Sequence, residues 1–418
     1  MKKNLEARGT GGEPFSFGRD KIGFNDIFLD AFGRLRVSNP FTLFDSAHQY
    51  DASPLFWNTK VTGGATVVHL PLESAVRLNC GTARGDEAIY QTKQYIRYQP
   101  GKGQQVTVTG VLGTRITNVR QRIGYFDDNN GLFFQQNDQM AVVRRSSVSG
   151  QVTDEVVPQA NWNIAKLDGS KGILLDPSNV QIFLIDFQWL GAGRARFGFF
   201  IGGKPVFCHE FEAANILKNV YMVTGNLPVR YEIENLGVPP RAPFMKAICT
   251  AVSSEGGFDK EKAVTHGANI GTTGISVTTR RPILSIRPKA TFNSLVNRGT
   301  VVPINYNIVA VGSDPLFFEL VYNGTLGGVA ASWTSLDDSS LSELDKASTT
   351  ITGGHILDSG YIGANNQERV GFLSDNVLQD LPLSNDIDGA NPDILSLVCT
   401  STGAAIVVYA SLAVREFY

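Results

Sequence analysis

Cysteine is scarce in this chain of 418 residues: the four copies, Cys80, Cys208, Cys249 and Cys399, form no CxxC pair and are too sparse for a disulfide framework. Each sits in or beside an apolar run, where a thiol behaves as a small hydrophobe, so four buried thiols are expected. Histidine is as rare, with five scattered copies. No cluster of His, Cys, Asp, Glu or Ser has the spacing of an active site. Basic surplus is missing too: 37 Lys and Arg stand against 39 Asp and Glu, a net charge of −2. That balance offers no field to attract nucleic acid or an anionic membrane. No stretch approaches the roughly 18 apolar residues that a spanning helix needs, so no membrane insertion is expected. The start, Met1-Lys2-Lys3, leads into no apolar segment, so it does not read as a secretory signal. These absences predict a protein made and folded in the cytosol, with no catalytic residues, no cofactor and no metal.

Glycine (43) and phenylalanine (25) are plentiful, apolar residues make up 42% and charged residues only 18%. The apolar content fills cores, and the length exceeds one ordinary core, so two or three domains are expected. Residues 1–45 read as an N-terminal arm. Its first part, to about residue 19, is polar and Gly-rich, and its second part carries Phe24, Phe28, Phe32, Phe41 and Phe44. A short segment cannot bury five Phe rings by itself, so they dock on the following domain or on a neighbouring chain. Arg34 and Arg36 alternate with Leu35 and Val37, and Arg among aromatics is the composition of an interface. The expected interface set is therefore Phe24, Phe28, Phe32, Arg34, Arg36, Phe41 and Phe44.

Residues 46–258 read as a β-sandwich. Val106 and Val108 alternate with Thr107 and Thr109, the pattern of a half-exposed strand. Residues 180–187 are apolar on both faces, 194–201 put Ala195, Phe197, Phe199 and Ile201 on one face, and Gly202-Gly203 turns the chain into a strand through His209. Such a meander suggests an antiparallel sandwich or jelly roll. A short helix is expected over residues 212–219. After a Ser-, Gly- and Lys-rich linker at 253–281, residues 259–418 read as a second β domain. Strands are expected near 283–286, 301–311, 317–321 and 351–356, with a final hairpin of 394–400 and 404–415. The fold class is thus all-β: a sandwich body, a second β-sandwich and an extended arm.

Chemistry-bearing residues have bland readings as well. Cys208-His209-Glu210 lies on a strand, where neighbours point to opposite faces, so a buried Cys and an exposed His are expected. Asp386-Ile387-Asp388-Gly389 opens like a calcium loop but has Ala390 and Leu397 where later ligands belong. Asp127-Asp128-Asn129-Asn130-Gly131 reads first as a hairpin. Asp186, in an apolar strand with Trp189 nearby, is the acid most suggestive of a glycosidase pair, and burial against Arg194 or Arg196 accounts for it equally well. Those two arginines read either as solvated face residues or as anchors between subunits.

The stretches Phe24-Asn25-Asp26, Asp30-Ala31-Phe32-Gly33-Arg34-Leu35-Arg36-Val37-Ser38 and Phe41-Thr42-Leu43-Phe44-Asp45 resemble the start of a family of tailed-bacteriophage virion proteins. Tyr98 to Lys102, Gln181 to Trp189 and Asn226 to Glu232 are similar to the same group. The resemblance covers roughly residues 23–250 and leaves out the C-terminal domain. It implies a fibre- or decoration-like structural protein located in the virion, with other virion proteins and copies of itself as partners, and it transfers no catalytic residue. The alternation over 180–208 also looks like a lectin-type sandwich. The alternative reading is therefore a receptor-binding module for host surface glycan, with Trp57, Trp162, Trp189 or Trp333 stacking on sugar rings. A carbohydrate-degrading enzyme is a third option.

Overall fold

A computed structural model of the chain describes residues 15–17, 20–22, 29–31, 33, 39–256, 263–373 and 381–417. The chain forms two compact units, one up to Asp259 and one from Lys260 onward, and Lys93–Tyr95 belongs with the second. Both are built from antiparallel sheets. Among the described residues there is no α-helix, only short 3-10 turns at Pro71–Glu73 and Gln159–Asn161. The helix expected over 212–219 is a single turn, in which the Ile216 and Leu217 N–H groups both donate to the Ala213 carbonyl. Asn215 sits there in the left-handed region (φ 63°), which a helix cannot propagate.

The N-terminal unit is a sandwich of two sheets. The seven-stranded sheet runs in the order Thr153–Pro158, Met140–Ser146, Gly131–Gln136, Val119–Phe126, Val229–Asn235, Glu87–Thr92, Trp57–Thr62. The eight-stranded sheet runs Lys204–Phe211, Ala195–Ile201, Gln181–Phe187, Gln104–Val111, Phe244–Ser254, Ala75–Asn79, Thr66–Leu70. Its eighth strand, Phe41–Ala47, pairs with Phe244–Ser254 beyond the part that Ala75–Asn79 occupies. Along Gln104–Val111 burial alternates strictly, as the Val/Thr pattern requires.

Between the sheets Phe134 packs against Phe183, Phe197 and Phe199 with ring centroids 5.0–5.3 Å apart. Burying each such ring contributes about 1.5–3 kcal/mol. Buried tyrosines keep their hydroxyls bonded: Tyr231 donates across the core to the Thr109 carbonyl at 3.0 Å, and Tyr125 to the Ile96 carbonyl at 2.7 Å. The Gly202-Gly203 hairpin has both residues at positive φ (60° and 75°), the primed turn that matches strand twist.

The C-terminal unit pairs a six-stranded sheet (Thr334–Ser335, Ser342–Asp345, Arg281–Pro288, Leu395–Ser401, Leu316–Tyr322, His355–Ile362) with a five-stranded one. The latter has Val264–Asn269, Ile406–Phe417, Thr300–Val311 and Gln367–Phe372 in order, and Ile275–Val277 also pairs with Ile406–Phe417. In Ile406–Phe417 the residues Ile406, Val408, Ala410, Leu412 and Val414 are all buried. The strand expected over 351–356 is two strands, Thr350–Thr352 and His355–Ile362, in different sheets. Gly353 and Gly354, at φ 63° and 83°, turn the chain between them.

One strand-end acid is fully enclosed. The Glu416 carboxylate accepts from the Ser340 and Ser342 hydroxyls (2.8 and 2.6 Å) and the Leu341 N–H (2.6 Å). His266 Nε2 lies 3.4 Å from it, and the ring's Nδ1 is 2.7 Å from Asp337.

Candidate functional site

Strand alternation places Arg196 on the outer face of the eight-stranded sheet, directly across from Asp186 in the antiparallel register. The two form an ion pair, and both side chains are 0% exposed. The guanidinium also lies over the Phe207 ring, 4.3 Å from its centroid. The N-terminal segment meets this pair at Leu29: Arg196 donates to the Leu29 carbonyl at 2.8 Å. The Ala31 carbonyl accepts from Gln188 Nε2 at 2.7 Å and from Arg194 Nε at 3.3 Å. Arg194 is itself paired with Glu210 at 3.2 Å. Leu29, Asp30 and Ala31 are all buried. The Gly33 N–H closes a turn on the Asp30 carbonyl at 2.9 Å, with Gly33 at φ 75°, where a side chain would be strained. Arg196 is therefore fully enclosed and Arg194 half-buried. They hold the chain's own N-terminal segment on the sandwich.

The outer face of the seven-stranded sheet carries a second charged group. Glu232 accepts from Arg122 at 3.0 Å on one oxygen and pairs with Arg230 at 2.7 Å on the other. Arg145 holds Asp154 through Nε (2.8 Å) and a terminal nitrogen (3.0 Å). Beneath them Phe126, Phe133 and Val143 form a small apolar cluster, with Arg122 and Arg145 over Phe133 and Arg230 over Phe126. Burial pushes the Glu232 carboxyl up, but the Arg230 and Arg122 guanidiniums outweigh it and hold the group below its ordinary range. Burial, with Glu232 and Glu234 beside it, raises Glu87. Glu87, Glu232 and Glu234 bring their oxygens within 4.8 Å of one another. Both oxygens of Glu232 are engaged by guanidiniums, so the trio is part of an ion-pair network.

Of the expected interface residues, Phe24, Phe28, Phe32, Arg34 and Arg36 lie outside the described residues. Phe41 is exposed (40%). Phe44 lies in the sandwich core, 8% exposed and edge-on to Trp57 with ring centroids 6.0 Å apart, so of the two partners expected for these rings it packs on the following domain. The body's sheet thus takes its eighth strand from the segment read as arm, because Phe41–Ala47 completes the edge of Phe244–Ser254.

His209 is buried, contrary to expectation. A register shift at Phe197/Gly198 makes Cys208 an extra residue, so both it and His209 are enclosed. Burial pushes the Cys208 thiol up and His209 down to about 4, the reverse of an activated thiolate–imidazolium pair. Cys249 is exposed, unlike the other three thiols.

Asp386 spends its carboxylate on its own turn, accepting from the Ala390 N–H and the Asn391 amide, while Arg298 donates to the carbonyls of residues 386 and 387. Asp127–Gly131 is the hairpin turn, Asp127 accepting from the Asn129 and Asn130 N–H groups. Trp57 and Trp162 are buried core residues. Trp189 is half-buried and donates to the Met222 carbonyl, and Trp333 is half-buried with Arg287 stacked 4.0 Å from its centroid.

No protein-family model matches the chain, and no curated protein does. Solved structures resemble it only distantly. A glycosyl hydrolase family 16 protein from Mycobacterium smegmatis is 13% identical, covering 50% of this chain and 99% of its own, with a TM-score of 0.35. A legume lectin-like domain from Entamoeba histolytica is 9% identical, covering 50% and 96%, at 0.30. The CBM2 module of the evolved Dit of Lactobacillus casei BL23 phage J-1 is 7% identical, covering 53% and 99%, at 0.34. At these scores none of them bears on what the chain does.

Proposed function

We propose that this chain is a non-enzymatic structural protein of a tailed-phage virion, a head-decoration or tail/fibre component that joins the particle through its N-terminal segment. The observation that supports this most is the seating of Leu29–Ala31 on Arg196, Gln188 and Arg194. It gives the preceding residues a rigid point of departure, as a tether requires. The seated turn belongs to the same stretch that resembles phage virion proteins. A glycan-binding role has less support, because each of the four tryptophans is buried or half-buried and packed.

The test is deletion of residues 1–28, which spares the seated turn and the Phe41–Ala47 strand. The shortened chain should fold and be missing from purified particles. Incorporation at the level of the full chain would overturn the tether.

A further inference from the structure

Strand Phe41–Ala47 is lightly moored. Among the described residues it pairs with one neighbour, Phe244–Ser254, and of its seven residues only Phe44 is buried. Phe244–Ser254 is also paired with Gln104–Val111 and Ala75–Asn79, so the sheet stays joined without this strand. Elements with few buried apolar contacts open locally at a lower free energy than the whole fold. His48 follows at once, where the chain leaves this sheet for Trp57–Thr62 in the other. Its ring is fully enclosed, edge-on to Trp57 and Tyr90 with centroids 5.5 and 5.4 Å away. Those two rings stack on each other at 4.4 Å, and Trp57 Nε1 donates to the Ser46 hydroxyl at 3.0 Å, which ties the cluster to the strand. The His48 carbonyl accepts from His69 Nε2 at 2.8 Å.

The hydrogen bonds fix where the His48 proton sits. The Tyr90 hydroxyl donates to the Ala52 carbonyl at 2.5 Å, so its oxygen is left to accept from His48 Nδ1 at 3.4 Å. Nδ1 therefore carries the hydrogen. Nε2, buried and with no hydrogen-bond partner among the described residues, holds a bare lone pair. A second proton can enter only there, and it would bury a charged N–H with no acceptor. The titratable groups around the ring are Tyr90 on Glu87–Thr92, His69 on Thr66–Leu70 and Asp51 in the following loop. Tyr231 lies beside Trp57 and Tyr90, and Cys249 stands opposite Ala47. Burial, and after it His69, oppose a charge on His48, and the weaker pull of exposed Asp51 does not offset them. We infer that His48 is a proton-operated latch: taking up a second proton frees Phe41–Ala47 from Phe244–Ser254 while the rest of the sandwich stays folded. The open strand gives the charged imidazole to water. This goes beyond the structural role proposed above and does not rest on it.

Hydrogen exchange of the full-length chain, corrected for the intrinsic effect of pH, tests the latch. With His48 held down to about 4 in the closed strand against 6.5 in the open one, opening should rise roughly 20-fold between about pH 7 and about pH 5. The amides of Phe41–Ala47 that pair with Phe244–Ser254 should lose protection by that factor, while Gln104–Val111 and Gln181–Phe187 keep theirs. His48→Gln cannot take the proton and should show no acid opening. His209→Gln removes another histidine pushed down to about 4 and should open as the wild type does. His48→Phe, which keeps a ring in the cluster, serves if His48→Gln does not fold. Protection that holds at the lower pH, loss that spreads to all three strands alike, or acid opening that survives replacement of His48 would each overturn the latch.

Discussion

Each unit encloses a fully buried charge, and the two are balanced by opposite means. In the N-terminal unit Arg196 meets a carboxylate, Asp186, and the pair is covered by a chain segment whose carbonyl it also binds. In the C-terminal unit Glu416 is satisfied by two serine hydroxyls and a backbone N–H, with His266 at its edge. A buried ion pair leaves a full uncompensated charge when one partner is lost, whereas a carboxylate held by dipoles loses only hydrogen bonds when it is neutralised. The first arrangement also ties a distant segment to the body, and the second closes one sheet locally.

Replacing Arg196 with Met should have the largest effect, because Asp186 stays buried without its partner. A loss of about 3–5 kcal/mol in urea unfolding of the N-terminal unit is expected, together with faster limited proteolysis between residues 29 and 40. A loss below ~1 kcal/mol would show that the pair does not hold the segment. Phe44→Ala should cost about 3 kcal/mol through the cavity beside Trp57, whereas Phe41→Ala, on the same strand but exposed, should stay within about 0.5 kcal/mol. Equal effects would mean that the strand does not face the core as described. Glu416→Gln should be milder, about 1–3 kcal/mol in the C-terminal unit, since shape is kept and hydrogen bonds are mismatched.

Acid should also separate the units. Burial, aided by His69 and opposed by Asp51, pushes His48 down to about 4. Burial, opposed by Glu155 and aided by Arg144, does the same to His209. Both lie below the unfolded value of 6.5, so the unfolded chain binds protons first. Their contribution to stability is complete above 6.5 and is lost as pH falls toward 4. In the C-terminal unit the Ser339 hydrogen bonds, and then His266, outweigh desolvation and hold Asp337 at about 2, against 3.8 unfolded. That contribution persists above 3.8 and is lost only as pH falls toward 2. Thermal melting across these windows should show the N-terminal unit weakening first. Simultaneous loss would contradict the assignment.

Much of the fold was legible because it is local. The Val/Thr alternation at 106–109, the Gly202-Gly203 hairpin and the inward row of the last strand follow from a period of two and from turn chemistry. The Asp186–Arg196 pair was legible in kind, as an acid in an apolar strand calls for a cation. What sequence could not show depends on pairing between distant residues. Leu29 meets Arg196, and Phe44 finds its place because Phe41–Ala47 pairs with a strand about 200 residues later. The burial of His209 depends on a one-residue bulge, which shifts alternation without leaving a mark in composition. Exposed Leu190 and Val220 fall on separate loops, which are joined by hydrogen bonds of Tyr221 to Gly191 and Gln188 and of Trp189 to Met222.

Immunogold labelling of this chain on intact, purified phage particles tests the central claim most directly. The account predicts label on every particle, at one structural location, lost when residues 1–28 are deleted. Particles that carry no label while the protein is abundant in the infected cell would contradict it.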